Sequence, residues 1–182
     1  MRIGVMCSGN GTNFENIVRT CREDEVVLMI YNKEDCGAKD RALKLGIPCT
    51  HIASKDEDRI INEFKWVGAE LIVLAGWMRI VTNKLIEAFP ERIINIHPSL
   101  LPRHKGLNVV QRALDAGDDY TGCTVHYVTE ELDSGDIIHQ AYVPILPGDN
   151  VKSLTRAIQR KEHEILPLAI DNVKQRLQVA VD

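Results

Sequence analysis

The chain has 182 residues, 45% hydrophobic and 26% charged, with a formal net charge of −4. That length suits a single domain, 1–182, with a substantial core, and the acidic balance argues against nucleic acid as the main partner. Five cysteines, Cys7, Cys21, Cys36, Cys49 and Cys123, make no CxxC pair and no zinc spacing, so reduced thiols in a cytoplasmic protein are expected.

The sequence opens directly on a strand, Ile3 to Cys7, without a basic-then-apolar leader. No apolar run approaches the roughly 20 residues of a membrane span. Ser8-Gly9-Asn10-Gly11-Thr12-Asn13 follows, then the helical spacing Phe14, Ile17, Val18, Cys21. Strand, Gly-rich turn and helix in that order make an anion site, because glycine lets the backbone approach and a helix start offers N–H groups. The plainer alternative is a tight turn with an Asn or Thr cap. A dinucleotide fingerprint is disfavoured, since Phe14 stands at the third glycine of GxGxxG. The next strand, Val26 to Tyr31, ends in Asn32-Lys33 rather than an acid. A single phosphate fits better than a dinucleotide.

Ala38 to Leu45 reads as a helix ended by Gly46, and Pro48 to Ile52 as a short strand. Ser54-Lys55-Asp56-Glu57 has the form of a capping box and opens a helix through Val67. Leu71 to Ala75 is a continuous apolar run, as a central parallel strand requires. The loop Gly76-Trp77-Met78-Arg79-Ile80-Val81 mixes a glycine, an aromatic, a methionine and an arginine. That mix can line a pocket for a flat heterocycle, or Trp77, Met78 and Ile80 can be plain core. Thr82 to Ala88 is a helix and Ile93 to His97 the next strand. Repeated β-α units imply a doubly wound, mostly parallel sheet with helices on both faces, a Rossmann-like α/β fold. The loops at 8–13, 76–81 and 97–107 all follow strands, so this fold predicts that they converge on one edge.

Alternation over Ile93-Ile94-Asn95-Ile96-His97 places Asn95 and His97 on one side of their strand. Pro98 then denies the sheet a donor, so the strand stops there. An amide beside an imidazole suits stabilising charge on a carbonyl oxygen and moving a proton. A polar strand end bonded to loop backbone would look the same. Val109 to Ala116 forms another helix, closed by Gly117. Cys123 to Val128 and Ile137 to Val143 then read as an antiparallel addition to the sheet. Between them, Glu130, Glu131, Asp133 and Asp136 make an acidic loop, ordinarily a solvated surface. Asp149 is the expected cap of a long C-terminal helix reaching about Leu177, with Pro167 inside it to kink or split it. His51, His104, His126, His139 and His163 have no partner at metal-ligand spacing and read as surface or packed polar residues.

Three separated motifs now agree in order. Asn95-Ile96-His97-Pro98-Ser99-Leu100-Leu101-Pro102 with Gly106, and Leu132-Asp133-Ser134-Gly135, resemble the two signatures of the folate-dependent formyltransferases. Ser8 to Asn13 narrows the resemblance to the branch of that family acting on 5-phosphoribosylglycinamide. The resemblance covers nearly the whole chain. It implies formyl transfer from 10-formyltetrahydrofolate, as co-substrate, to the amine of that nucleotide in purine biosynthesis, with no metal. It implies Asn95, His97 and Asp133 as the catalytic trio, with Asp133 holding and charging His97. It gives Gly11, Thr12 and Asn13 to the substrate phosphate and Glu162 to the ribose. It gives Met78, Arg79, Ile80 and Val81, with Asn95, to the folate, and assigns the basic folate contact to Lys55. The chain then divides into a phosphate-binding half, 1–90, and a catalytic and folate-binding half, 91–182. The partners are small molecules, with neither nucleic acid nor membrane. The rivals are a formyltetrahydrofolate hydrolase, which gives the formyl group to water, and a non-catalytic nucleotide-binding module.

Overall fold

Apolar runs bounded by turn residues become strands here, and the amphipathic stretches between them become helices. The computed structural model describes residues 1–181. They cluster into two units, Met1–Asn95 and a second beginning at Ile96.

The first unit holds β1 (Arg2–Cys7), α1 (Thr12–Thr20), β2 (Glu25–Tyr31), α2 (Gly37–Leu45), β3 (Cys49–His51), α3 (Glu57–Trp66), β4 (Leu71–Leu74), α4 (Asn83–Ala88) and the start of β5 (Ile93–His97). Its strands pair in parallel in the order β3-β2-β1-β4-β5. From β1 the chain steps outward to β2 and β3, then returns to β4 on the other side of β1. Right-handed crossovers therefore put α1 and α2 on one face and α3 and α4 on the other. The packing agrees, with α1 against α2 and α3 against α4. The central strands are buried on both sides: Ile3, Val5, Met6, Ile72 and Val73 have no exposed surface. Phe14 and Ile17 of α1 and Ile60 and Phe64 of α3 close the two faces. Phe64 meets Phe89 edge-on with ring centroids 6.4 Å apart. Truncating such a buried ring to alanine costs about 3–5 kcal/mol.

The start of α3 departs from the capping box expected of Ser54 and Glu57. The cap is Asp56, whose carboxylate accepts from the Arg59 N–H at 3.3 Å. Glu57 is buried instead and accepts from the backbone N–H of Thr82 at 2.8 Å and from the Thr82 hydroxyl. A carboxylate committed to the start of α4 is not available to cap its own helix.

The second unit takes up the end of β5 and continues with α5 (Val109–Asp115), β6 (Tyr120–Tyr127), β7 (Ile137–Pro144) and α6 (Val151–Val179). β6 and β7 form an antiparallel pair with Thr124 opposite Gln140. α6 packs on both strands and on α5, burying Leu154, Ile158, Ile165, Leu166, Ala169, Ile170 and Val173. Its cap is Asn150, not Asp149. The Asn150 side chain accepts from Ser153 N–H at 2.9 Å, and Ser153 Oγ accepts from Asn150 N–H at 3.0 Å. Asp149 lies one residue outside and takes the Ser153 hydroxyl at 2.6 Å. α6 runs through Pro167 as one helix of 29 residues. Proline removes one intrahelical bond, and the buried residues on either side of it hold the helix together across the gap. Among the described residues no helix is long and apolar enough to cross a membrane.

Candidate active site

In a doubly wound sheet the crevice opens where neighbouring connections leave in opposite directions. Here that point lies between β1 and β4, and two of the three expected loops meet there. Ser8, buried at the end of β1, donates its backbone N–H to the Gly76 carbonyl at 3.0 Å. Its hydroxyl accepts from the Met78 N–H at 2.9 Å. One serine thus joins the turn at 8–13 to the loop at 76–81. Gly11 precedes α1 with φ of 77°, in the left-handed region. A Cβ on Gly11 would lie 2.7 Å from Cα and Cβ of Ala38, so this position excludes any side chain twice over. Thr12 and Asn13, both half-buried, form the first turn of α1.

The loop after β4 exposes Met78, Arg79 and Ile80 and buries Val81. Met78 is 58% exposed and Ile80 71%. These two are therefore not core, and Trp77 is half-buried. Lys55 is exposed and shares a cleft of about 430 Å³ with Ser54, Arg79 and Ile80. Lys55 and part of the expected folate set are thus neighbours.

In the second unit the acidic loop separates cleanly by burial. Glu130, Glu131 and Asp136 are exposed, whereas Asp133 is buried. Asp133 adopts a left-handed φ of 50°. Two residues on, a Cβ at Gly135 would fall 1.7 Å from the Tyr127 carbonyl oxygen, so only glycine lets this turn close. The turn delivers Asp133 Oδ2 to the Gly106 N–H at 2.8 Å and to within 3.7 Å of His97 Nδ1. The latter distance is an ionic contact, longer than a hydrogen bond. The other ring nitrogen, His97 Nε2, lies 2.9 Å from the His104 carbonyl. Both ring nitrogens therefore face oxygen atoms, one of a carboxylate and one of a carbonyl.

The loop that presents the His104 carbonyl is held on several sides. Ser99 Oγ donates to the carbonyls of Arg103 and His104 at 2.7 and 3.1 Å. The His104 ring pairs with Asp118 at 2.6 Å. Thr124 of β6 donates to the Ser99 carbonyl at 2.7 Å, and Gln140 of β7 donates to the Leu101 carbonyl at 2.9 Å. Asn95 lies two residues before His97 on β5 and is half-buried. Glu162 is buried on α6, unlike an ordinary surface acid. Burial pushes the Cys123 thiol up to about 12, and the charge of nearby Glu162 adds to the effect.

The sequence leaves His126 as a surface or packed polar residue; the structure buries it and brings it to Asp133. Its Nε2 is 3.8 Å from Asp133 Oδ1, and its Nδ1 is 2.9 Å from the Tyr127 carbonyl. Burial holds its pKa below the ordinary value, although the Tyr127 carbonyl and Asp133 pull the other way. The available signal was alternation: in a strand, Thr124 and His126 share a face.

The turn after β1 lacks the third glycine of a dinucleotide fingerprint, and the second unit holds a buried histidine–carboxylate pair. Residues 1–170 match the formyl transferase family, and the chain belongs to that family. It is 40% identical over 182 residues to the phosphoribosylglycinamide formyltransferase of Escherichia coli strain K12, with 93% of this chain and 85% of that protein covered. It is 42% identical over 182 residues to the trifunctional purine biosynthetic protein adenosine-3 of Drosophila pseudoobscura pseudoobscura, of whose length the chain spans 13%. The crystal structure of glycinamide ribonucleotide transformylase 1 from Symbiobacterium toebii superimposes with a TM-score of 0.90 at 41% identity, covering 93% of this chain and 85% of that one.

Proposed function

We propose that the chain transfers the formyl group of 10-formyltetrahydrofolate to the amine of 5-phosphoribosylglycinamide, as a cytoplasmic enzyme of purine biosynthesis. The observation that carries this reading is the burial of Asp133 beside His97 while its acidic neighbours stay exposed. The amine attacks the formyl carbon and a tetrahedral adduct with an oxyanion forms. The Asn95 amide donates one N–H to that oxygen. His97 donates a second as its Nε2–H exchanges the His104 carbonyl for the developing charge. The adduct collapses when the folate nitrogen takes a proton and the incoming amine loses one. His97, directly or through water, moves that proton, and Asp133 stabilises the imidazolium. Gly11, Thr12 and Asn13 take the phosphate and Glu162 the ribose. Met78, Arg79, Ile80 and Val81 line the folate heterocycle, with Lys55 as the basic folate contact.

A formyltetrahydrofolate hydrolase would use the same trio but has no use for a nucleotide phosphate. The glycine turn at 8–11 and the 85% coverage of the Escherichia coli relative favour the transferase. The test is an absorbance assay of folate deformylation with and without phosphoribosylglycinamide. Turnover should require the amine. Turnover independent of it would make the chain a hydrolase, and nucleotide binding without turnover would make it a binding module.

A further inference from the structure

The turn after β1 is backed by the start of α2, which grips it at consecutive peptides. The Ala38 N–H donates to the Gly9 carbonyl at 3.1 Å. Arg41 Nε donates to the Asn10 carbonyl at 2.7 Å. Gly37 lies so close to Asn10 that a Cβ there would meet Asn10 Oδ1 at 2.4 Å. Leu101–Pro102 is the one cis peptide among the described residues, so the peptides at 9–10 and 10–11 are trans. In a trans peptide the carbonyl and the N–H of the next residue point in opposite directions. Drawing the Gly9 and Asn10 carbonyls toward α2 therefore turns the N–H groups of Asn10 and Gly11 away from it. The Arg41 guanidinium is itself held: Glu15 of α1 accepts from it, and from Arg19 Nε and Nη2 at 2.9 and 2.8 Å. These hydrogen bonds keep the Glu15 carboxyl below the usual carboxylate range.

We propose that Arg41 is a positioning residue for the phosphate-binding turn. It fixes the Asn10–Gly11 peptide with its N–H toward the nucleotide, and Glu15 fixes Arg41. This rests on the proposed function, in which that turn receives the substrate phosphate. Neither residue touches the reacting atoms in this scheme. Without Arg41 the peptide can rotate and the donor is lost, while folate binding and the chemical step are untouched.

The experiment measures kcat and both KM values for Arg41→Leu, Arg41→Lys and Glu15→Gln, with thermal unfolding alongside and inorganic phosphate as competing probe. Arg41→Leu should raise the nucleotide KM by about tenfold, the scale of one charge-assisted hydrogen bond. The folate KM and kcat at saturation should change less than about twofold. Arg41→Lys keeps the charge but not the planar fork and should retain most of the defect. Glu15→Gln supplies the sign test. Removing a negative charge near a bound phosphate would lower the nucleotide KM by Coulomb's law alone, whereas loosening Arg41 should raise it. A fall in KM for Glu15→Gln, or full rescue by Arg41→Lys, would make Arg41 a long-range charge and overturn the proposal. An unchanged nucleotide KM in all three variants would overturn it equally. If the unaltered chain turns over without the nucleotide, or is not competed by inorganic phosphate, the phosphate site fails and the positioning role with it.

Discussion

Under the proposed function, the turn after β1 and the loop around Asp133 place polar groups for a ligand by opposite means. In the turn the groups are backbone N–H donors, aimed by a glycine with φ of 77° and by the packing of α2 behind it. In the loop they are side chains, aimed by burial of His97 and Asp133 and by hydrogen bonds to the surrounding backbone. A backbone site is damaged by adding atoms, because every added Cβ occupies ligand space or strains φ. A side-chain site is damaged by removing them. The two regions therefore invite opposite substitutions.

The largest effect is expected in the side-chain region. His97→Ala should lower kcat by about 10²–10⁴, the range of a general acid–base group. If His97 and Asp133 act as a unit, adding Asp133→Asn to His97→Ala should cost little more. A double-mutant cycle in kcat/KM at one salt concentration checks this, and full additivity would dissolve the pair. Next comes the backbone region, where two glycines can be set against each other. Gly11→Val places a branched residue at a left-handed φ and against Ala38, so it should cost about 1–3 kcal/mol in unfolding experiments and weaken nucleotide binding together. Gly9→Ala meets nothing nearer than Met78 Cε at 4.0 Å. Its stability should stay within about 0.5 kcal/mol of the parent, so any rise in nucleotide KM would report ligand approach alone. Equal losses of stability at both positions would show that the turn is not held as described.

The smallest effect concerns pH. Burial keeps His126 below its ordinary 6.5. The unfolded chain takes up this proton near that value and the folded chain only at lower pH. Stability is therefore lost as pH falls through the unfolded value, until the folded ring also protonates. His126→Gln removes the uptake, so its Tm should fall less steeply between about pH 7 and pH 5 than that of the parent. An identical slope would mean that other groups account for the loss.

Every strand and helix of the fold was visible in the sequence, because apolar runs and glycine stops mark them without tertiary help. The helix starts were less legible. Ser54 and Glu57 have capping-box spacing, yet Glu57 is taken by Thr82 from the far end of another connection, a partner 25 residues away. Asp149 and Asn150 are adjacent and equally good caps, and only the extended backbone at Asn150 decides between them. β6 begins at Tyr120, before the alternation from Cys123 that marked it, because Thr121 and Gly122 pair with Val143 and Tyr142 of β7. Asn95 and His97 stood out by sharing a strand face. Asp133 was singled out among four acids by its motif, and the separation by burial needed coordinates. His126 had only strand alternation to mark it and Arg41 had no local signal, since each acts through a partner brought close by a turn or by helix packing.

The serine at the end of β1 has a thermodynamic consequence. Ser8 bonds through its N–H to one end of the 76–81 loop and through its hydroxyl to Met78. Under the proposed function, one of the joined segments receives the nucleotide and the other the folate. A ligand that immobilises either segment lowers the entropy still to be lost by the other, so the second substrate binds to a partly ordered site. Such coupling is reciprocal: the factor by which nucleotide tightens folate equals the factor by which folate tightens nucleotide. Under the proposed function, the shared serine therefore predicts synergy between the two substrates, independent of which arrives first.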